Sequence, residues 1–311
     1  MTEPTQDPTG TTSPDAMPVT AGAAAAAAPA MTELPEPPLP ATEDIPVSVY
    51  RHKLPVRAWH WLNAVAIIGL FMSGLMIFNA HPHLYWGHHG AQPDWPWLTI
   101  EHTADSGSLR VGSVTIPTTG LLGYTYNLDG SPNTHAFPSW ITLPGPYDLA
   151  GGRHFHLFFA WLFGISFLLF FIWSMFSRHA SRDLTPKLSE LTPKHLAHEI
   201  IEHAQLKFPT GLAAARFNTL QKLSYFVVIL IFIPLMILTG LTMSPTMNAS
   251  WPWLIDIFGG RASARSIHFI ICWALFAFTI VHLVMVVLAG PINEIRSMIT
   301  GHFRLPRPRG E

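Results

Sequence analysis

Four stretches of this chain, at about residues 58–79, 153–176, 223–244 and 267–290, each run for more than twenty residues with no Lys, Arg, Asp or Glu beyond the first position. A hydrocarbon layer about 30 Å thick takes roughly 20 residues of helix at 1.5 Å rise per residue. Unpaired backbone groups cannot be left in lipid, so such runs are read as spanning helices. The expected fold is therefore an all-α membrane protein, a four-transmembrane-helix bundle. Charge is correspondingly scarce: 12% of residues, against about 25% in an ordinary soluble domain.

The segments between the spans set an expected topology. Residues 1–45 are rich in Pro and Ala, include "AGAAAAAAPA" and hold no aromatics; they read as a disordered cytoplasmic tail with no basic n-region of a signal peptide. Residues 46–304 are the membrane domain and 305–311 a C-terminal tail. Of the eighteen Lys and Arg, fourteen lie in the N-terminal flank, the connection between spans two and three, and the C-terminal tail. Positive charge marks the cytoplasmic side, so both termini are expected inside and the loop at 80–152 outside, in the periplasm of a bacterial inner membrane. "WPWLTIEHT", "GSVTIPTTG" and "FPSWITLPGPYDLAGG" in that loop predict short strands and turns. A loop of this length suits partner docking. "LTPKHLAHEIIEHAQLKF" predicts an amphipathic helix on the inner surface, starting at Thr192–Pro193. Pro234 predicts a kink in span three.

Chemistry enters through histidine. The chain has 17, almost as many as its Lys and Arg together. His60 opens span one, His154 and His156 open span two, and span four carries His268 and His282 at its two ends. With the expected topology they fall at two depths: His60 with His282 on the inner side, and His154 or His156 with His268 on the outer side. Fourteen residues separate His268 from His282, about 21 Å along a helix and within about 40° of one face. One helix thus aims two imidazoles at one interior from opposite leaflets. Zinc wants four ligands and no Cys or carboxylate joins either level. An iron porphyrin brings four nitrogens and takes two axial donors, so two haems held by paired histidines fit.

Ser73 and Gly74, Gly164, and Thr239 and Gly240 are small residues that let a flat macrocycle approach the backbone. Arg57 on the inner side and Arg153 and Arg265 on the outer side are placed to pair with haem propionates; Arg57 serves equally as a positive-inside anchor. Cys272 is the only cysteine, which excludes an internal disulfide, an iron–sulfur cluster held by four thiolates and covalent haem attachment. The remaining histidine groups, "HPHLYWGHH" and "HLAHEIIEH", read as hydrated polar faces rather than metal sites. No basic stripe points to nucleic acid.

"VRAWHWLNAVAIIGLFMSGL", "GRHFHLFFAWLF", "LQKLSYFVVILIFIPLMILTGLTMSP" and "GGRASARSIHFIICWALFAFTIVHLVMVVLAGPINEIRSMITG" resemble the bacterial cytochrome b561/Ni-hydrogenase cytochrome b family, in particular the branch described as thiosulfate reductase cytochrome b subunits or cytochrome b/b6-domain proteins. The two-histidine fourth helix also resembles that of formate dehydrogenase gamma subunits. The resemblance covers about residues 48–304. It implies two non-covalent b-type haems, His60 and His282 ligating the inner one and His156 and His268 the outer. It favours His156 over His154, where the family commonly has Arg. It further implies electron exchange between the quinone pool and a redox partner, commonly a periplasmic molybdopterin enzyme.

The reading is thus an electron-transfer subunit embedded in membrane lipid. Asn63, Gln221 and Lys222, with His282, are placed by position to bind quinone or quinol beside the inner haem. One alternative is a stand-alone b561-type oxidoreductase acting on a small diffusible oxidant such as superoxide. Another is a histidine-using transporter, against which the largely unbroken spans argue.

Overall fold

A computed structural model describes residues 48–91, 93–179, 185, 191–205 and 217–305. The 1–45 tail, most of the 305–311 tail, and Arg182, Lys187, Lys207 and Arg216 of the middle connection lie outside the described residues. After strand β1 (Ser48–Tyr50) comes helix α1 (Leu54–Asn79), then β2 (His83–Leu84), β3 (Leu98–His102), β4 (Gly107–Val111), β5 (Val114–Pro117), β6 (Thr125–Tyr126) and β7 (Pro132–Asn133). Helices α2 (Leu149–Phe176), α3 (Pro193–Ala204), α4 (Thr219–Val227) and α5 (Ile233–Met243) follow. The chain ends with α6 (Pro245–Ser250), α7 (Trp253–Ile257), α8 (Arg261–Ala289), α9 (Pro291–Thr300) and β8 (His302–Arg304).

Four helical segments are long and apolar enough to cross a membrane: Leu54–Asn79, Leu149–Phe176, Thr219–Met243 and Arg261–Ala289. Each starts four to six residues before its apolar run, because the run marks what hydrocarbon demands whereas the start is set by capping outside it. Asp148 accepts from the Gly151 N–H to cap α2. Asn218 and Gln221 form a reciprocal capping box at α4. Span three departs further from expectation. Between α4 and α5, Val228–Phe232 is π-helical, immediately before Pro234. Proline lacks the N–H and its ring crowds the carbonyl four residues back, and a π-bulge is one way to relieve both.

Helix α1 packs mainly on α2, and α5 on α8. The α1–α2 approach is close enough that a Cβ at Gly69 would fall 2.3 Å from the Phe159 ring. Ala66, Phe163, Phe167, Phe170, Ile229 and Ile233 form one apolar cluster, where Trp59 stacks on Phe170 at 4.0 Å between ring centres. A second cluster, around Leu75, Phe78, Leu98 and Phe137, joins α1 and α8 to the 80–148 segment. Outward-facing Ile165, Leu169, Val281 and Val287 are more than half exposed, as befits helices whose solvent is lipid.

The two ends of the bundle are built differently. At the loop end, β2–β3–β4–β5 form a four-stranded antiparallel sheet. The 80–148 segment is clamped to the helices: Asn79 exchanges two hydrogen bonds with the Phe137 backbone, at 3.1 and 2.7 Å. Trp97 donates to Ser266 at 2.9 Å, which donates to the Tyr85 carbonyl at 2.6 Å. At the terminal end, β1 pairs antiparallel with β8. There Arg51 meets Glu294 at 3.5 Å and lies over the Phe303 and Phe217 rings. The amphipathic helix expected near Thr192 is α3. Its Glu199 accepts from the Thr219 and Leu220 N–H groups at 3.3 and 3.0 Å, docking it on the start of span three.

Candidate functional site

Three helices contribute the imidazoles. His60 sits two turns into α1, His156 two turns into α2, and His268 and His282 lie on α8. The structure brings them together as two couples. The His60 and His282 ring centres are 6.3 Å apart with planes at 59°. Those of His156 and His268 are 6.4 Å apart with planes at 61°. The first couple is the terminal level, the second the loop level. His154, the alternative to His156, is exposed.

The spacing carries chemical information. Two imidazole nitrogens bound on opposite sides of one metal, at about 2 Å each, hold their ring centres about 6 Å apart. Both couples match that distance. Among the described residues no group of three or more His, Cys, Asp or Glu is arranged to hold a metal ion. Each couple therefore offers two donors and no more, which suits a macrocycle that brings four of its own.

The walls of the loop level are made by two dipeptides. Ser73 Oγ lies 3.1 Å from His156 Nδ1, and Thr239 Oγ1 lies 2.9 Å from His268 Nδ1. A Cβ added at the next residue, Gly74 or Gly240, would stand 3.5 Å from Cε1 of the same ring. Small residues were expected here for room alone; that the hydroxyls hold the imidazoles was not, although the adjacent Ser-Gly and Thr-Gly pairs are visible in the sequence. Beside Gly164, eight residues past His156 on α2, a Cβ would meet open space. At the terminal level, His60 Nδ1 is buried with no hydrogen-bond partner, and Phe278 stacks on His282 at 6.0 Å.

The arginines are engaged locally. Arg57 donates to the Ile299 carbonyl. Arg265 donates to the His81 carbonyl at 2.5 Å and lies over Phe78. Arg153 is exposed. Of the expected quinone-site residues, Asn63 is buried at 6% exposure, one turn from His60, with an unpartnered Oδ1. Gln221 takes part in the capping box of α4, and Lys222 lies beside it in that first turn.

Histidines outside the spans gather at both ends. His83, His88 and His89 line a cavity of about 150 Å³ with Arg261 and Arg265. His83, His102 and His135 line another of about 470 Å³ with Glu101. Burial, followed by the Arg265 charge, holds His81 below the ordinary imidazole value. At the terminal end His52 is 8% exposed; burial, then the Arg51 charge, pushes it down to about 4.

Residues 51–301 match the family described as prokaryotic cytochrome b561. The chain is 29% identical over 247 residues to the putative protein-methionine-sulfoxide reductase subunit YedZ1 of Azospira oryzae, covering 79% of this chain and 94% of that one. It is 23% identical to the probable Ni/Fe-hydrogenase B-type cytochrome subunit of Cupriavidus necator, over 82% and 86% of the two chains. For the subunit of the same description in Rhodobacter capsulatus the identity is 21%, over 82% and 81%. No solved structure matches the chain. The family match runs from before the first span to beyond the last and takes in all four paired imidazoles, so this integral membrane protein belongs to the prokaryotic cytochrome b561 family, whose b-type cytochromes carry haem b as electron-transfer subunits of redox complexes.

Proposed function

We propose that this chain is a dihaem cytochrome b that passes electrons between the quinone pool and a redox partner on the far side of a bacterial inner membrane. His60 and His282 hold one haem, His156 and His268 the other. The observation that carries the reading is the pair of imidazole couples, 6.3 and 6.4 Å between ring centres, near opposite ends of one helix. Haem bound at each couple supplies one-electron chemistry. The protein's part is to hold two rings per site in fixed orientation, surround them with apolar side chains, and keep the two levels about 21 Å apart along α8.

The terminal level faces the cytoplasm in this reading. The charge distribution supports that, and the pairing of β1 with β8 puts both ends of the described chain on one and the same side. Quinol binds beside His60, where Asn63 offers a buried amide with an unpartnered oxygen. In this reading residues 1–45 are a cytoplasmic tail, 46–304 the dihaem domain and 305–311 a second tail.

The partner is a periplasmic molybdopterin-type oxidoreductase docking on the 80–148 segment, whose Trp95, Trp140 and Leu128 are exposed. Relatives described as subunits of a methionine sulfoxide reductase and of hydrogenases support a partner of redox type.

Haem stoichiometry tests the assignment. The wild-type protein is expected to carry two haems per chain. His60→Ala or His282→Ala removes one, His156→Ala or His268→Ala removes the other, and His154→Ala keeps both. Loss of both haems from a single change, with helicity intact, contradicts the two-level arrangement. Rapid reoxidation by superoxide without any partner would favour the stand-alone oxidoreductase.

A further inference from the structure

We infer that Ser73 and Thr239 are positioning residues that fix the tautomer of the two loop-level imidazoles and so lower that level's reduction potential; this rests on the dihaem reading above. A hydroxyl has one proton to give. That of Ser73 goes to the Gly69 carbonyl at 2.5 Å, and that of Thr239 to the Leu235 carbonyl at 2.7 Å. Toward the imidazoles, 3.1 and 2.9 Å away, both oxygens can therefore only accept. The proton of each neutral ring is accordingly on Nδ1, and the lone pair is left on Nε2.

The two cradles are alike in construction. Each comes from the other helix of its packed pair: α1 holds the α2 histidine, and α5 holds the α8 histidine. In each, the residue after the hydroxyl is a glycine whose Cβ would stand in van der Waals contact with Cε1, the ring atom next to Nε2. The terminal level has no counterpart. His60 Nδ1 is buried without a partner, and no hydrogen bond to the His282 ring is found among the described residues.

The chemical consequence follows from second-shell principles. An imidazole whose N–H donates to an acceptor is a more basic ligand and favours the more positive, oxidised metal. The hydroxyls thus make the cradled level harder to reduce than it would be without them, and removing one shifts it toward reduction.

The experiment is a redox titration of the full-length, haem-loaded protein, with haem content measured on the same samples. His282→Ala, which leaves only the loop-level haem, identifies that level's wave. Ser73→Ala and Thr239→Val are each expected to move that wave's equilibrium toward the reduced form by two- to tenfold, tenfold being about 59 mV for one electron. The terminal-level wave stays in place, and Ser73→Thr and Thr239→Ser restore the wild-type position. Loss of the loop-level haem alone in Thr239→Val, regained in Thr239→Ser, also supports the cradle. With two haems present, an unmoved loop-level wave in both variants, or an equal shift of both waves, overturns this inference and leaves the dihaem reading intact. Fewer than two haems in the wild type overturns both.

Discussion

The two ends of the bundle solve one problem in different ways. At the loop end, each imidazole is gripped by a hydroxyl and faced by a glycine from the neighbouring helix, under a sheet clamped to α1 and α8. At the terminal end the imidazoles lack such grips, and the order comes from around them: the β1–β8 pairing, the Arg51–Glu294 contact, and hydrogen bonds from Arg57 and Trp61 to the carbonyls of α9. Hydrogen bonds to a ligand ring fix its orientation and its electronics together, whereas a tied-down periphery fixes only where the helix sits. Equal couples by distance are thus unequal by environment.

The largest effect expected from this contrast concerns haem itself. A valine at Gly240 places branched carbons where even a Cβ touches the His268 ring. Gly240→Val is expected to cost the loop-level haem while the terminal haem stays, read as one haem per chain in place of two. Loss of both haems would mean that the levels are not independent.

The next effect belongs to the terminal end and depends on pH. His52 titrates at about 4 in the folded protein against 6.5 for the free group. Above about pH 6.5 it is neutral in both states. As pH falls from 6.5 toward 4 the unfolded chain takes up a proton that the folded one refuses, so stability drops by on the order of 3 kcal/mol. His52→Gln should flatten this acid limb in thermal unfolding of the detergent-solubilised protein. An unchanged limb would place the acid sensitivity elsewhere.

A smaller change tests the clamp at the loop end. Asn79→Ala leaves the Phe137 N–H and carbonyl without their side-chain partners and is expected to cost about 2 kcal/mol. Hydrogen exchange should show the loss in the 80–148 segment and not in α9. The smallest effect is for Trp61→Phe, which removes a single half-exposed hydrogen bond to the Met298 carbonyl. Under about 1 kcal/mol is expected, with loosening confined to α9.

Much of this was legible beforehand, and for identifiable reasons. The spans show because hydrocarbon imposes a length and forbids charge. The pairing of His60 with His282 and of His156 with His268 shows because depth follows from position along a helix and from the side on which the helix starts. The resemblance in "GRHFHLFF" chose His156, and the exposure of His154 agrees. What sequence missed lay between helices or at their ends. That Gln221 closes a capping box at the start of α4 was not read from the sequence. Pro234 announced a disturbance in span three, yet the π-helical turn just before it has no signature of its own.

By itself the sequence determined how many helices cross the membrane and how deep each imidazole sits, since hydropathy and axial rise are properties of a single strand of chain. Only the tertiary structure decided which hydroxyl meets which ring and where each arginine's hydrogen bonds go. It also decided which of two couples is cradled. These depend on how each helix is rotated about its axis and leaned against its neighbours, and that rotation is set by side-chain packing between helices, which no single segment encodes.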